Sequence, residues 1–181
     1  MENEKKLREE IDSICEEYYR DVYQYCLYFT NHHNEAEDLT QETFIKVLKG
    51  LKKFKNHSSI KTWVLSIAKH TAIDHYRRKK IIQFIPSLLL PSQAAIDGLP
   101  EQEVQAKENW QEIEHALLLL KPHYRNILIL RGINELSTKE TAEILDCKEA
   151  KVRVDYHRAI KQLHLLLSPE QGGIFSNETF E

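Results

Sequence analysis

Between Asn56 and Lys80 the chain reads NHSSIKTWVLSIAKHTAIDHYRRKK, and these residue types suit one kind of ligand. A loop with small hydroxyls, Ser58 and Ser59, precedes a single large aromatic, Trp63, and the stretch closes on Arg77, Arg78, Lys79 and Lys80. Cations along a helix hold phosphates, and an aromatic face or narrow pocket accepts an unstacked base, so the pattern fits single-stranded nucleic acid. It also fits an ordinary surface helix with Trp63 in the core and a solvated charged end. A second candidate lies further along. Ser137-Thr138-Lys139-Glu140 reads as a capping box opening a short helix with Ala142 and Leu145 inward. A turn at Asp146-Cys147-Lys148 leads into a last helix, Glu149 to about Leu166, with Val152, Tyr156, Ala159 and Leu163 on one face. Short capped helix, tight turn, longer helix is helix-turn-helix geometry. The last helix would project Lys148, Glu149, Lys151, Arg153 and Val154 from its first turns, with His157, Arg158 and Lys161 beyond. From there side chains reach base edges and cations hold phosphates. A three-helix module that binds protein would show the same spacing.

Stepping outward, the charge is segregated. The net charge of −3 and pI near 6.3 do not resemble a nucleic-acid binder, yet from Lys46 to Lys80 eleven Lys and Arg face the single acid Asp74. The residues before Lys46 are strongly acidic, so local partners of opposite sign matter more than the overall balance. Few Gly and Pro and an abundance of Leu, Glu, Lys and Ile predict an all-α chain. Leu7, Ile11, Ile14, Tyr18, Val22, Cys26 and Phe29 recur at three- and four-residue steps, predicting a helix over about 7–30. Asn34 with Glu37 reads as a capping box for a second helix that carries Leu39, Phe44, Val47, Leu48 and Leu51 inward and ends near Phe54. A serine after His57 would cap a third helix, about Ile60 to Lys80. Residues 81–107, with Pro86, Pro91, Gly98 and Pro100, read as a linker. Beyond it Pro122 starts a helix ending near Gly132, a candidate left-handed C′ residue, and 168–181 reads as a flexible tail.

Three scattered cysteines, Cys15, Cys26 and Cys147, form no Cys-x-x-Cys pair and suit a reducing cytoplasm. The charged first residues do not read as a signal peptide, and no apolar run is long enough to span a bilayer. No Gly-rich phosphate loop, His-Glu-x-x-His or Cys/His cluster with metal spacing is present, so neither an enzyme nor a metal or cofactor site is expected.

At this point a resemblance becomes specific. Glu37-Asp38-Leu39-Thr40-Gln41-Glu42-Thr43-Phe44, then Thr62-Trp63-Val64-Leu65-Ser66-Ile67-Ala68 with Ala72-Ile73-Asp74 and Arg77-Arg78, then the segment from Leu136 to Leu163, occur in the order of an extracytoplasmic-function sigma factor. The chain resembles that minimal, two-domain branch of the sigma-70 family over about residues 7–167. The resemblance implies two small helical domains, 1–80 and 108–167, joined by the linker. Asp38, Gln41, Glu42 and Phe44 would engage core RNA polymerase at a coiled coil of its β′ subunit, with β the second polymerase partner; Phe44 also reads as core. Asn56, Ser58, Ser59 and Lys61 would belong to the loop that captures a flipped base of the −10 element. Trp63, His70, Arg77 and Arg78 would join them in recognition and melting. Lys148, Glu149, Lys151, Arg153, His157 and Arg158 would read the −35 element. Promoter DNA and an anti-sigma factor, often membrane-bound in this family, are the further partners implied. The sequence departs from the family pattern at Val64, which leaves Trp63 without an aromatic neighbour, and at Asp146 and Lys148 in the turn. A stand-alone helix-turn-helix regulator is the alternative reading.

Overall fold

The computed structural model describes residues 2–54, 58–84 and 104–167. Among them every regular element is helical: α1 (Glu2–Thr30), α2 (His33–Gly50) with a 3-10 turn at Leu51–Lys53, α3 (Ile60–Phe84), α4 (Val104–Leu119), α5 (Pro122–Leu128) continued by a π turn at Ile129–Ile133, α6 (Thr138–Leu145) and α7 (Glu149–Leu167). No helix among the described residues is long and apolar enough to cross a membrane.

The periodic face of α1 buries Ile14, Val22, Cys26 and Phe29 against α2 and α3, with Tyr25 fully enclosed beside them. Asn31, in the left-handed region at φ 53°, breaks α1 from α2. The cap of α2 is not Asn34: the helix starts two residues earlier, with His32 as N-cap and its Nδ1 accepting from the Glu35 N–H. A ring nitrogen can serve as the acceptor that the sequence pattern assigns to an amide. Leu48 is a second correction. It lies 40% exposed, because Ala36, Leu39, Thr40, Thr43, Phe44 and Val47 already fill the inward face. Two threonines complete that face by returning their hydroxyls to the carbonyls of Ala36 and Leu39, one turn back.

Helix α3 continues through Phe84, past the predicted stop at Lys80, and α4 begins at Val104, inside the stretch read as linker. Pro122 opens α5 as expected. Gly132 is not the left-handed residue. The helix runs through it as a wider π turn, and Glu135 takes the positive φ, 55°. Ser137 and Glu140 form the predicted capping box of α6, and Asp146 adopts φ 51°, a conformation in which a short polar side chain is tolerated.

A small apolar cluster, Leu117, Leu120, Leu128 and Ala159, ties α4, α5 and α7 together. Ile129, Leu130, Leu136 and Ile144 do not belong to it. They join the cluster of α1, α2 and α3, so the two helical units meet in one continuous apolar core.

Candidate nucleic-acid interface

Helix α3 has three faces with three destinations. Val64, Ala68, Thr71 and His75 turn toward α1 and α2; there Lys46 donates to the Thr71 hydroxyl and both His75 and Lys79 reach Glu35. Leu65, Lys69, Ile73 and Tyr76 turn toward the second unit, where Lys69 Nζ donates to the Ile144 carbonyl at 2.8 Å. The outward stripe carries His70, Asp74, Arg77 and Arg78, all exposed, with Lys79 and Lys80 at its end. Ser59 caps the helix through the Thr62 N–H at 3.0 Å, and Ser58 stands beside it half-buried. Asn56, assigned to the same loop, lies outside the described residues. Lys61 is held by Asp21 of α1 at 3.0 Å.

Trp63 is half-buried and packed against the protein. Its ring stacks on Phe54 with centroids 4.7 Å apart, and a methyl at Gly50 would sit 3.1 Å from its Cζ2. A side chain there would press the indole by a few tenths of an ångström, whereas the backbone, at φ −91°, makes no demand for glycine. The stack joins the end of the 3-10 turn to the first turn of α3 and so fixes the two ends of the intervening loop.

On α2, Asp38 and Gln41 are exposed and Glu42 pairs with Lys46 at 2.8 Å. Phe44 is only 8% exposed and lies parallel to the Tyr19 ring, so its side chain supports this face from beneath and does not form it. The apolar groups that do reach the surface are Ile45 and Leu48, which follow Asp38 and Gln41 at steps of three and four. Sequence reasoning passed over Ile45 and turned Leu48 inward. The signal was there: an inward face already filled leaves further aliphatic residues outside.

The last two helices pack as a helix-turn-helix. Val152 and Ala159 of α7 are buried, while Lys148, Glu149, Lys151, Arg153, His157 and Arg158 are all exposed. Asp155 points inward. It is 4% exposed and accepts from Lys151 Nζ at 2.7 Å and His123 Nε2 at 2.8 Å, with Arg158 at 3.9 Å. The hydrogen bond from Lys151 chiefly holds its carboxyl below the usual range, against the opposing effect of burial. Glu35 plays a similar part beneath α3. Burial pushes its carboxyl up, but hydrogen bonds from Lys79 and His75 win and hold it low. Each cation-bearing helix is thus held by one acid on its inner side, while its outer side carries Arg77 paired with Asp74, or Arg153 paired with Glu149.

Two family models match, in order: Sigma-70 region 2 over residues 14–81 and Sigma-70, region 4 over residues 110–163. Among curated proteins, the RNA polymerase sigma factor YlaC of Bacillus subtilis is 39% identical over 160 residues, 87% of this chain and 92% of that protein. The ECF RNA polymerase sigma factor SigX of the same organism is 36% identical over 171 residues, 91% of this chain and 88% of that protein. Among solved structures, the sigma factor RpoE in complex with the anti-sigma factor NepR, from Bartonella quintana, superposes with a TM-score of 0.67 at 21% identity. That match covers 92% of this chain and 99% of the other, a likeness of fold. CnrH, solved with the cytosolic domain of CnrY, gives the same TM-score over 88% of each chain at 19% identity.

Proposed function

The chain belongs to the extracytoplasmic-function branch of the sigma-70 family, and from that premise we propose how its surfaces divide the work of promoter-specific transcription initiation. It binds core RNA polymerase through the exposed stripe of α2, Asp38, Gln41, Ile45 and Leu48, with Glu42 beside it and Phe44 as the packing beneath. A stripe with apolar groups among carboxylates suits a protein partner more than a nucleic acid. The outward face of α3 and the loop before it, Asn56 to Lys61, handle the −10 element. His70, Arg77 and Arg78 hold the backbone of the melted strand, and Trp63 positions the loop through its stack on Phe54. In α7, Lys148, Glu149, Lys151, Arg153, His157 and Arg158 face the −35 duplex. Residues 1–80 and 108–167 are the corresponding domains, with 81–107 between them and 168–181 after them. An anti-sigma factor is the expected regulator, as it is the partner of the sigma factor RpoE of like fold.

The observation that carries this reading is the ordered pair of family segments on one chain, each with a set of exposed cations on its last helix. Tethering two weak readers to one polymerase raises the effective concentration of the second contact, so neither need bind DNA tightly alone. Run-off transcription tests it, with Bacillus subtilis core polymerase and a library of genomic fragments. New start sites that require the protein, with shared upstream elements, are the expected result. If no start sites appear and the purified chain instead binds duplex fragments tightly by itself, the stand-alone regulator takes its place.

A further inference from the structure

The turn before α7 is tightly closed. With Asp146 at φ 51°, the N–H groups of Asp146 and Cys147 return to the carbonyls of Glu143 and Ala142. The Lys151 and Val152 N–H groups already bond the Lys148 carbonyl, so α7 is ordered from its first turn. In a helix-turn-helix those first turns are the ones that meet base edges. Val152 and Ala159 are buried and mark the inward line of α7. At 3.6 residues per turn, Ala150, Val154, His157 and Lys161 fall opposite that line, and all four are exposed.

The two members of this outer line nearest the start of α7 have no hydrogen-bonding group on their side chains. Ala150 carries a single methyl, and Val154, one turn on, is 49% exposed. The long polar side chains stand to either side. On one flank Arg153 lies 3.7 Å from Glu149. On the other, Lys151 and Arg158 lie 2.7 and 3.9 Å from Asp155. A solvated surface gives no reason for valine at this place, because alanine or lysine suits an exposed helical position better.

An alkyl group set between cations fits a polyanion that itself carries an apolar group. The major groove of DNA offers one. Adenine, guanine and cytosine present only donors and acceptors there, whereas thymine adds its C5-methyl. Valine is well made for that contact: its first side-chain torsion is nearly fixed in a helix, so little freedom is lost when it packs. The small side chain of Ala150 leaves room for the base pair to approach.

We propose, on the reading of α7 as the −35 helix, that Val154 is a specificity-determining residue. Its methyl groups pack on the C5-methyl of one thymine in the −35 element, while the exposed cations on the flanks hold the backbone and neighbouring pairs. Preference for thymine at that position is thus set by apolar contact, with no hydrogen bond from the side chain that reads it.

Deoxyuridine in place of thymidine tests this, because it removes the methyl and keeps every hydrogen-bonding group of the base. Promoters that respond to the protein in run-off transcription are rebuilt with one such replacement at each −35 thymine of either strand. With the wild type, one replacement should lower initiation about fourfold, the worth of one buried methyl group, and the others should have little effect. Val154→Ala should keep the helical circular dichroism, initiate less from the thymine promoter and be indifferent to the replacement that hurts the wild type. Wild-type indifference to every replacement, or an equal drop with Val154→Ala, overturns the contact and leaves α7 as the −35 reader. If initiation ignores every base change across the −35 element, the −35 reading falls and the contact falls with it.

Discussion

Helices α3 and α7 both carry exposed cations, and these are supported differently. In α7 the supporting acid, Asp155, is in the helix itself and shut inside its own unit, its side chain 5% exposed. Lys151 and Arg158 lie one turn either side of it, so the positive face is complete as soon as that unit folds. In α3 the cations are distributed. Lys79 and His75 go to Glu35 of α2, whose side chain is 23% exposed, Lys61 goes to Asp21 of α1, and Lys69 goes to the other unit. The comparison teaches that α7 is a finished surface, whereas the state of α3 depends on what the rest of the chain is doing.

The largest effect expected from breaking this arrangement is at Asp155. Asp155→Ala takes the shared acceptor from Lys151, His123 and Arg158 and removes two hydrogen bonds to a buried carboxylate, so it should cost about 2 kcal/mol. Urea denaturation read by circular dichroism measures it. Glu35→Ala also removes two hydrogen bonds, but one ion pair fewer and from a site nearer water, and should cost about 1 kcal/mol or less. Should Glu35→Ala prove the more damaging, the contrast between a sealed and a distributed support is wrong.

The same two acids make the contrast visible in pH. Both carboxyls are held low in the folded chain, so the unfolded chain binds more protons in acid. Their contributions are therefore fully present at neutral pH and are lost as the pH falls below about 4.5 and on through the folded values. Asp155→Ala and Glu35→Ala should each flatten part of that acid loss in chemical denaturation followed from pH 7 downward. An acid loss equally steep in both variants would mean that other carboxyls set it.

Much of this was legible in the residues. The period of α1, the capping box at Ser137, the left-handed turn at Asp146 and the inward Val152 and Ala159 all follow from local rules, because the competing conformations are disfavoured within a few residues. The failures have a common cause too. Leu48 and Phe44 are both apolar residues read as inward; Phe44 is buried as expected and Leu48 is not, because the neighbours that fill the interior decide between them. The cap at His32 and the π turn across Gly132 depend on where the helices must pack rather than on residue preference. Least legible was the packing of one helical unit on the other. Lys69, Arg125 and Asn134 look like surface residues in any window of sequence, and only the fold brings them opposite carbonyls 75, 96 and 113 residues away.

The smallest effect on stability should come from the exposed cations, and that makes them the cleanest probes of the two surfaces. Arg153 lies 3.7 Å from Glu149 with its side chain 65% exposed, so Arg153→Gln should change stability by less than about 0.5 kcal/mol. Arg78 is likewise exposed on the outer stripe of α3. If α7 reads the −35 duplex and α3 the −10 strand, each substitution should weaken transcription in a way tied to its own element. A base contact by Arg153 would be worth roughly 1–3 kcal/mol, and its loss would relax preference at one −35 position; a phosphate contact would lower all promoters alike. Crossing Arg153→Gln and Arg78→Gln with single-base changes in each element distinguishes these outcomes. Non-additivity should appear between Arg153 and the −35 element, and between Arg78 and the −10 element, since groups in contact couple and distant ones do not. Coupling of Arg153 to the −10 element would mean that the two surfaces work on the same stretch of DNA, and the division of labour between α3 and α7 would fall.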